Sequence, residues 1–209
     1  MDTLVIYNHP SETLGTFKAA LKNYREVFAE ELKDMENFDA LVIMGGPMGV
    51  YERKKYPFLE LEMRMIRKAF MENKHVLGIC LGSQLIAEAL GGTVIKGCFG
   101  REIGFQKVRL IGSLRDFLNL DELVVFQMHG DTFSLPEKAE LLAYNRNYFQ
   151  AFQIGKILGL QFHVEVNSEL MEEWVRLYNE SRELLNEIKH YESELNQISK
   201  KILDYWLSL

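Results

Sequence analysis

Cys80 lies in Gly78-Ile79-Cys80-Leu81-Gly82-Ser83-Gln84, between two glycines. An apolar run, His75 to Ile79, precedes it, and a helical pattern from Gln84 to Leu90 follows. That order predicts a nucleophile elbow, the strand–turn–helix hairpin that holds one side chain in a constrained, accessible position. Small neighbours suit such a turn because it is tight and a reactant must approach its backbone. The helix also directs its positive N-terminal end toward the sulfur. The chemistry indicated is covalent catalysis by a thiol.

A thiol nucleophile needs a base, and the base needs a group to orient it. Leu158-Gly159-Leu160-Gln161-Phe162-His163-Val164-Glu165-Val166 offers both in His163 and Glu165. The two are two residues apart on what reads as a strand, which places them on one face. The chain order Cys, His, Glu is acceptable because triads are defined by roles and not by order. A second imidazole, His129, sits in Phe126-Gln127-Met128-His129-Gly130-Asp131 and is a rival base. His9, His75 and His190 have no partner pattern and read as structural or solvated.

The elements that must position these groups alternate along the chain. Leu4 to Tyr7, Ala40 to Met44, Val76 to Ile79 and Ile157 to Phe162 read as buried strands. Leu14 to Asn23 and Phe58 to Asn73 read as helices, and Glu26 to Ala29 as a short strand. Glu102 to Arg109, Leu123 to Gln127 and Leu141 to Asn145 read as three more strands. The expected fold is α/β: a doubly wound, mostly parallel sheet with flanking helices and right-handed crossovers. Sites in such sheets lie beyond the carboxyl ends of the strands. Gly46, Cys80 and His163 each follow an apolar strand, so this fold would gather all three.

Three blocks, in order, resemble the class I, triad-type glutamine amidotransferases. Met44-Gly45-Gly46-Pro47-Met48-Gly49-Val50-Tyr51 resembles their oxyanion-strand loop, and the Gly78–Gln84 segment their nucleophile block. Gly159-Leu160-Gln161-Phe162-His163-Val164-Glu165 resembles their His/Glu block. The Gly-Gly-Pro-Met form and His129-Gly130-Asp131 look most like the amidotransferase domain of GMP synthase and its stand-alone relatives. The resemblance implies a catalytic triad of Cys80, His163 and Glu165, with the N–H groups of Gly46 and Leu81 as oxyanion hole. It implies that Gln84 and the backbone around Met128 and His129 contact substrate, which leaves His129 a loop-shaping or substrate-contacting role. Two positions depart from the pattern: Val164 replaces the usual proline, and Met128 a common serine. Val164 adds an N–H that needs a partner.

The chain has 209 residues, 47% of them hydrophobic, enough for one full core. Its net charge of −6 lends no support to nucleic acid or anionic membrane binding. No apolar stretch approaches a membrane span, and the N-terminal residues show no signal pattern. With two cysteines, a disulfide framework is unexpected and a reducing, cytoplasmic setting is indicated. Cys98 reads as a small residue in a turn, with a Cys80–Cys98 disulfide as the sharper alternative. No cofactor is expected: the sequence lacks metal-ligand spacing and an ATP-binding loop ending in Lys-Ser/Thr.

Leu184, Ile188, Tyr191, Leu195, Ile198, Ile202, Tyr205 and Leu209 recur with four-three spacing. This predicts a long helix, with Ser181 as a cap, forming an extension (183–209) to an amidotransferase-like domain (1–182). The stripe could pack on its own sheet, form a homodimer or dock a partner.

The activity expected is cleavage of the γ-amide of glutamine through a Cys80 thioester, releasing glutamate and ammonia. The ammonia could pass to a separate synthase such as that of GMP synthase. The alternatives are a stand-alone γ-glutamyl peptidase or hydrolase, and a non-enzymatic redox or protective protein on the same fold.

Overall fold

The computed structural model describes residues 1–209. The strands are β1 (Thr3–Tyr7), β2 (Tyr24–Phe28), β3 (Ala40–Ile43), β4 (His75–Ile79), β5 (Val94–Lys96), β6 (Glu102–Leu110), β7 (Glu122–His129), β8 (Asp131–Phe133), β9 (Glu140–Tyr144), β10 (Phe149–Ile154) and β11 (Ile157–Leu160). The helices are α1 (Phe17–Ala20), α2 (Phe58–Met71), α3 (Leu81–Ala89), α4 (Gly112–Leu118), α5 (Ser168–Leu177) and α6 (Leu184–Ser208).

Nine strands form one sheet in the order β2-β1-β3-β4-β11-β10-β9-β6-β7. The first five pair parallel; the pairings from β11 onward to β7 are antiparallel. Strands β1, β3 and β11 are buried along their whole length, as continuous Val, Ile and Leu runs covered on both faces must be. β5 and β8 form a separate two-stranded sheet.

The register aligns the ends that matter. Ile43 pairs with Gly78 and Leu160 with Ile79, so the segments leaving β3, β4 and β11 emerge side by side. The Cys80 N–H donates to Leu160 O at 2.7 Å, tying the elbow to the neighbouring strand.

Several expectations need correction. The helix expected over Leu14 to Asn23 is only α1, Phe17–Ala20. Gly15 precedes it at φ +49°, and a side chain there would strike the Glu165 carbonyl. Leu21 is extended, and Asn23 takes φ 51°. His163 and Glu165 are not on a strand: β11 stops at Leu160, and His163 is held by a single bridge to Phe126 of β7. The elements β5, β8, α4, β10 and α5 were not among the expected ones, although the apolar residues of α5 (Leu170, Met171, Trp174 and Val175) follow a helical spacing.

The seam of α6 faces its own chain. Leu184, Ile188, Leu195, Ile198, Ile202 and Tyr205 are buried in the larger hydrophobic cluster, with Tyr191 and Leu209 packed against it. The helix lies against α5, α1, α4 and β4. Ser181 does not cap the helix as expected: the capping position is Glu183, without a side-chain bond, and Ser181 only accepts the Glu183 N–H at 3.2 Å. Its Ser199 hydroxyl receives a hydrogen bond from Thr16, at 3.0 Å, and the Thr16 N–H donates to Glu165 O at 2.8 Å. No helix is long and apolar enough to cross a membrane.

Candidate active site

Cys80 occupies the turn between β4 and α3 at φ 51°, ψ −107°. A non-glycine residue is rarely held there, and such strain concentrates at functional sites. Two glycines make the turn possible. A side chain at Gly82 would run into the Ile43 carbonyl of β3, and one at Gly78 into the backbone of Gly82. Both residues therefore allow α3 to seat directly on the sheet.

The sulfur lies 3.7 Å from Met128 O and 3.8 Å from Gln161 Nε2. Contact with the 128 position is thus made by the backbone, and the missing serine hydroxyl leaves it intact. Gln161 is buried, and its Oε1 accepts Gln84 Nε2 at 3.1 Å. Gln84 also donates to Asp131 O, at 3.3 Å, so its side-chain amide is engaged within the protein while lining the cavity.

His163 is fully buried, its ring edge-on to Trp174 of α5 at 4.9 Å between centroids. Its Nδ1 donates to Glu165 Oε1 at 2.6 Å. The second carboxylate oxygen, Oε2, accepts the Val164 N–H at 3.0 Å. The amide that proline would have lacked therefore anchors the acid itself. Nε2 is buried without a hydrogen-bond partner and is free to take a proton. Burial alone pushes the His163 imidazole down; the Glu165 carboxylate and the nearby Cys80 thiol outweigh it and hold the imidazole well above its ordinary range.

The N–H groups of Gly46 and Leu81 enter no turn, cap or loop hydrogen bond. The two residues are neighbours, since a side chain on Gly46 would come 3.0 Å from the Leu81 side chain. Two unpaired donors beside a thiol can stabilise negative charge on an oxygen.

His129 is not a free base. Its Nδ1 bonds to Asp131 O at 2.9 Å and its Nε2 to Glu102 Oε2 at 3.0 Å. Burial pushes the Glu102 carboxyl up, but bonds from His129, Asn147 and Asn145 prevail and hold it below its usual range. The pair shapes the 128–131 loop, whose carbonyls meet Cys80 and Gln84.

Cys80, Gly46, Gln84, Met128 and His129 line one cavity of about 310 Å³. That volume lies at the small end for ligand sites. Cys98 does not border it; Cys98 is exposed, and both cysteines are free thiols. Glu12 was not foreseen. It is buried, borders the cavity and accepts the Tyr178 hydroxyl at 2.9 Å. A side chain at Gly45 would meet the Glu12 carboxylate and come 3.5 Å from His163 Cε1, so both groups crowd the same loop. Burial raises the Glu12 carboxyl against the opposing pull of His163 and Tyr178. Glu12 stands in an irregular loop, and no spacing in the sequence marks it.

The profile described as "Glutamine amidotransferase class-I" matches residues 9–177. The chain belongs to the class I glutamine amidotransferase family. It superposes on the crystal structure of a glutamine amidotransferase from Thermotoga maritima with a TM-score of 0.91 at 33% identity, covering 100% of this chain and 99% of that one. It is 32% identical over 153 residues to Gamma-glutamyl peptidase 4 of Arabidopsis thaliana, across 69% of this chain and 60% of the relative. It is 30% identical over 159 residues to the glutamine-hydrolyzing GMP synthase of Borreliella burgdorferi, across 73% of this chain but 29% of the relative.

Proposed function

We propose that this chain cleaves the side-chain amide of glutamine, or the equivalent bond of another γ-glutamyl compound, through a Cys80 thioester. The observation that carries the reading is the buried His163–Glu165 pair, 2.6 Å apart, beside a thiol held in a strained turn at a small cavity.

The Cys80 proton passes to His163 Nε2, and the sulfur attacks the γ-carbonyl carbon. Negative charge gathers on the carbonyl oxygen, where the Gly46 and Leu81 amides receive it; one such donor contributes roughly 3–4 kcal/mol in comparable sites. His163 returns the proton to the departing nitrogen, releasing ammonia or an amine. Water, deprotonated by His163, then attacks the thioester; the free thiol and glutamate result. Glu165 keeps the imidazole in the required tautomer and stabilises its charged form. Gln84 and the Met128–His129 backbone border the space where the glutamyl group would lie.

Two fates of the released nitrogen follow from the relatives. Delivery to a separate synthase fits the GMP synthase likeness, which spans under a third of that relative. Lone hydrolysis fits the γ-glutamyl peptidase likeness, and it is favoured here by the greater share of the relative that is matched. The two free thiols suit a reducing, cytoplasmic setting. A homodimer through α6 would have to use residues outside its buried seam, such as the exposed Leu207; light scattering on the full chain decides it.

The test supplies glutamine and γ-glutamyl dipeptides to the purified chain and measures glutamate release. Cys80→Ala should lower turnover by at least about a thousandfold with an unchanged circular dichroism spectrum. Retained turnover in that variant would refute the mechanism. Absence of turnover on every γ-glutamyl compound, with reversible oxidation of Cys80, would favour the redox alternative.

A further inference from the structure

Behind the Gly45-Gly46 loop, α2 buries the Glu62 carboxyl completely, and neither of its oxygens has a hydrogen-bond partner. The neighbouring polar group is the Asn8 amide; burial raises the Glu62 carboxyl, and contact with that amide pulls it down more weakly. No charged side chain acts on it from β3, β4, α3 or the Ala29–Glu31 turn, the elements packed on α2. Asn8 is itself buried. Its Nδ2 donates to Met44 O at 3.2 Å, which fixes the orientation of the amide, while its Oδ1 lacks a donor. A side chain on Gly46 would stand 2.9 Å from Asn8 Cβ, so Asn8 forms the floor of the turn that presents the Gly46 N–H.

The hydrogen-bonding inventory indicates the state of the acid. A neutral carboxyl offers one O–H and one carbonyl, matching an amide that lacks a donor at Oδ1 and keeps a spare N–H on Nδ2. A carboxylate offers acceptors only; it would leave Oδ1 unpaired and place a bare charge in an apolar core.

We propose that Glu62 is a positioning residue for the reaction: as a neutral acid it donates to Asn8, which holds the Met44 carbonyl and thereby the turn carrying the Gly46 amide. Its ionisation loosens that turn. Burial pushes the Glu62 carboxyl up to about 8, which brings the change within reach of ordinary assay conditions. The proposal rests on the reading of Gly46 as oxyanion donor, and the experiment separates the two.

Glu62→Gln keeps one donor and one acceptor but has no proton to lose. With glutamine as substrate, kcat of the native protein should fall above about pH 8, with KM little changed. In Glu62→Gln that alkaline fall should move up by at least about one pH unit. An identical alkaline limb in both proteins would overturn the proposal. Asn8→Ala addresses the link from the other side, should the first variant not fold. It should lower kcat roughly tenfold or more at every pH with KM nearly constant, and an unchanged kcat would overturn the link. Melting temperatures from pH 5 to 9 need no turnover. The native protein should lose stability through this range up to about pH 8, more steeply than Glu62→Gln. Parallel slopes would overturn the neutral acid even if no substrate were ever turned over. Absence of turnover in the native protein would instead count against the hydrolase reading alone.

Discussion

The amide of Val164 and the Nδ1 of His163 divide the two oxygens of Glu165 between them. This division bears on what a neutral replacement would do. In Glu165→Gln, one end of the side chain is a carbonyl and the other an NH2. The Val164 N–H attracts the carbonyl, so the NH2 turns toward His163 and demands an unprotonated Nδ1. The proton then sits on Nε2, where the base needs a lone pair. A wrong tautomer of this kind costs a catalytic triad about ten-thousandfold in kcat. We expect Glu165→Gln to lose roughly that much, and Val164→Pro in the same background to recover part of it by removing the competing amide. A double variant no faster than the single one would reject the tautomer argument. Cys80, His163 and Glu165 were legible as candidates because their residue types and order suggest the proposed chemistry. Glu12 and Gln161 were not. Each is an ordinary polar residue in an irregular segment, and only the fold brings it to the site.

Among the elements, α3 is tied most closely to the proposed chemistry because it begins at Cys80. Its seat depends on the absence of a side chain at Gly82, where the Ile43 backbone stands in the way. Backbone cannot swing aside as a flexible side chain can. Gly82→Ala should therefore destabilise the fold by about 1–3 kcal/mol and tilt the elbow, lowering kcat as well as the melting temperature. Wild-type behaviour in both would show that α3 can shift without consequence. α2 carries a different signature. Its Glu62 has a folded-state pKa above the value of about 4.5 that it has when unfolded, at about 8. Stability from the neutral acid is complete below the unfolded value and is lost as pH rises to the folded one. Over that window each pH unit costs about 1.4 kcal/mol at most. Calorimetry across the window should find the decline in the native chain and a flatter profile in Glu62→Gln.

The buried parallel strands β1, β3, β4 and β11 were readable as apolar runs, whereas the half-exposed β2 carries Arg25 and Glu26. β10 was not readable, because its apolar residues break alternation at Ala151 and Phe152; α5 carries a legible helical spacing of Leu170, Met171, Trp174 and Val175. The helical spacing over Leu14 to Asn23 overstates α1, because it continues past Ala20 while Gly15 and Asn23 take left-handed geometry that periodicity cannot reveal.

For the molecule as a whole, α6 decides whether the sheet has a closed face. Ile188, Leu195, Ile198, Ile202, Leu203, Tyr205 and Trp206 are buried in the larger cluster. At about 1.5–3 kcal/mol for each large apolar side chain buried, their loss is comparable to the whole 5–15 kcal/mol by which a domain of this kind is stable. A chain ending at Arg182 should be insoluble or unfolded. A soluble, cooperatively melting product would show that α6 is an accessory. The heptad spacing made the helix legible, yet spacing alone does not distinguish a partner helix from a sheet. The choice is made by the apolar face that α1, α4 and α5 leave open.

The thread from Ser199 through Thr16 to the Glu165 carbonyl gives this arrangement a temporal side. The thiol, the imidazole and the acid are all synthesised before α6, yet the brace beneath the acid arrives with it. A nascent polypeptide would hold the thiol, the imidazole and the acid while Thr16 still lacked its Ser199 partner.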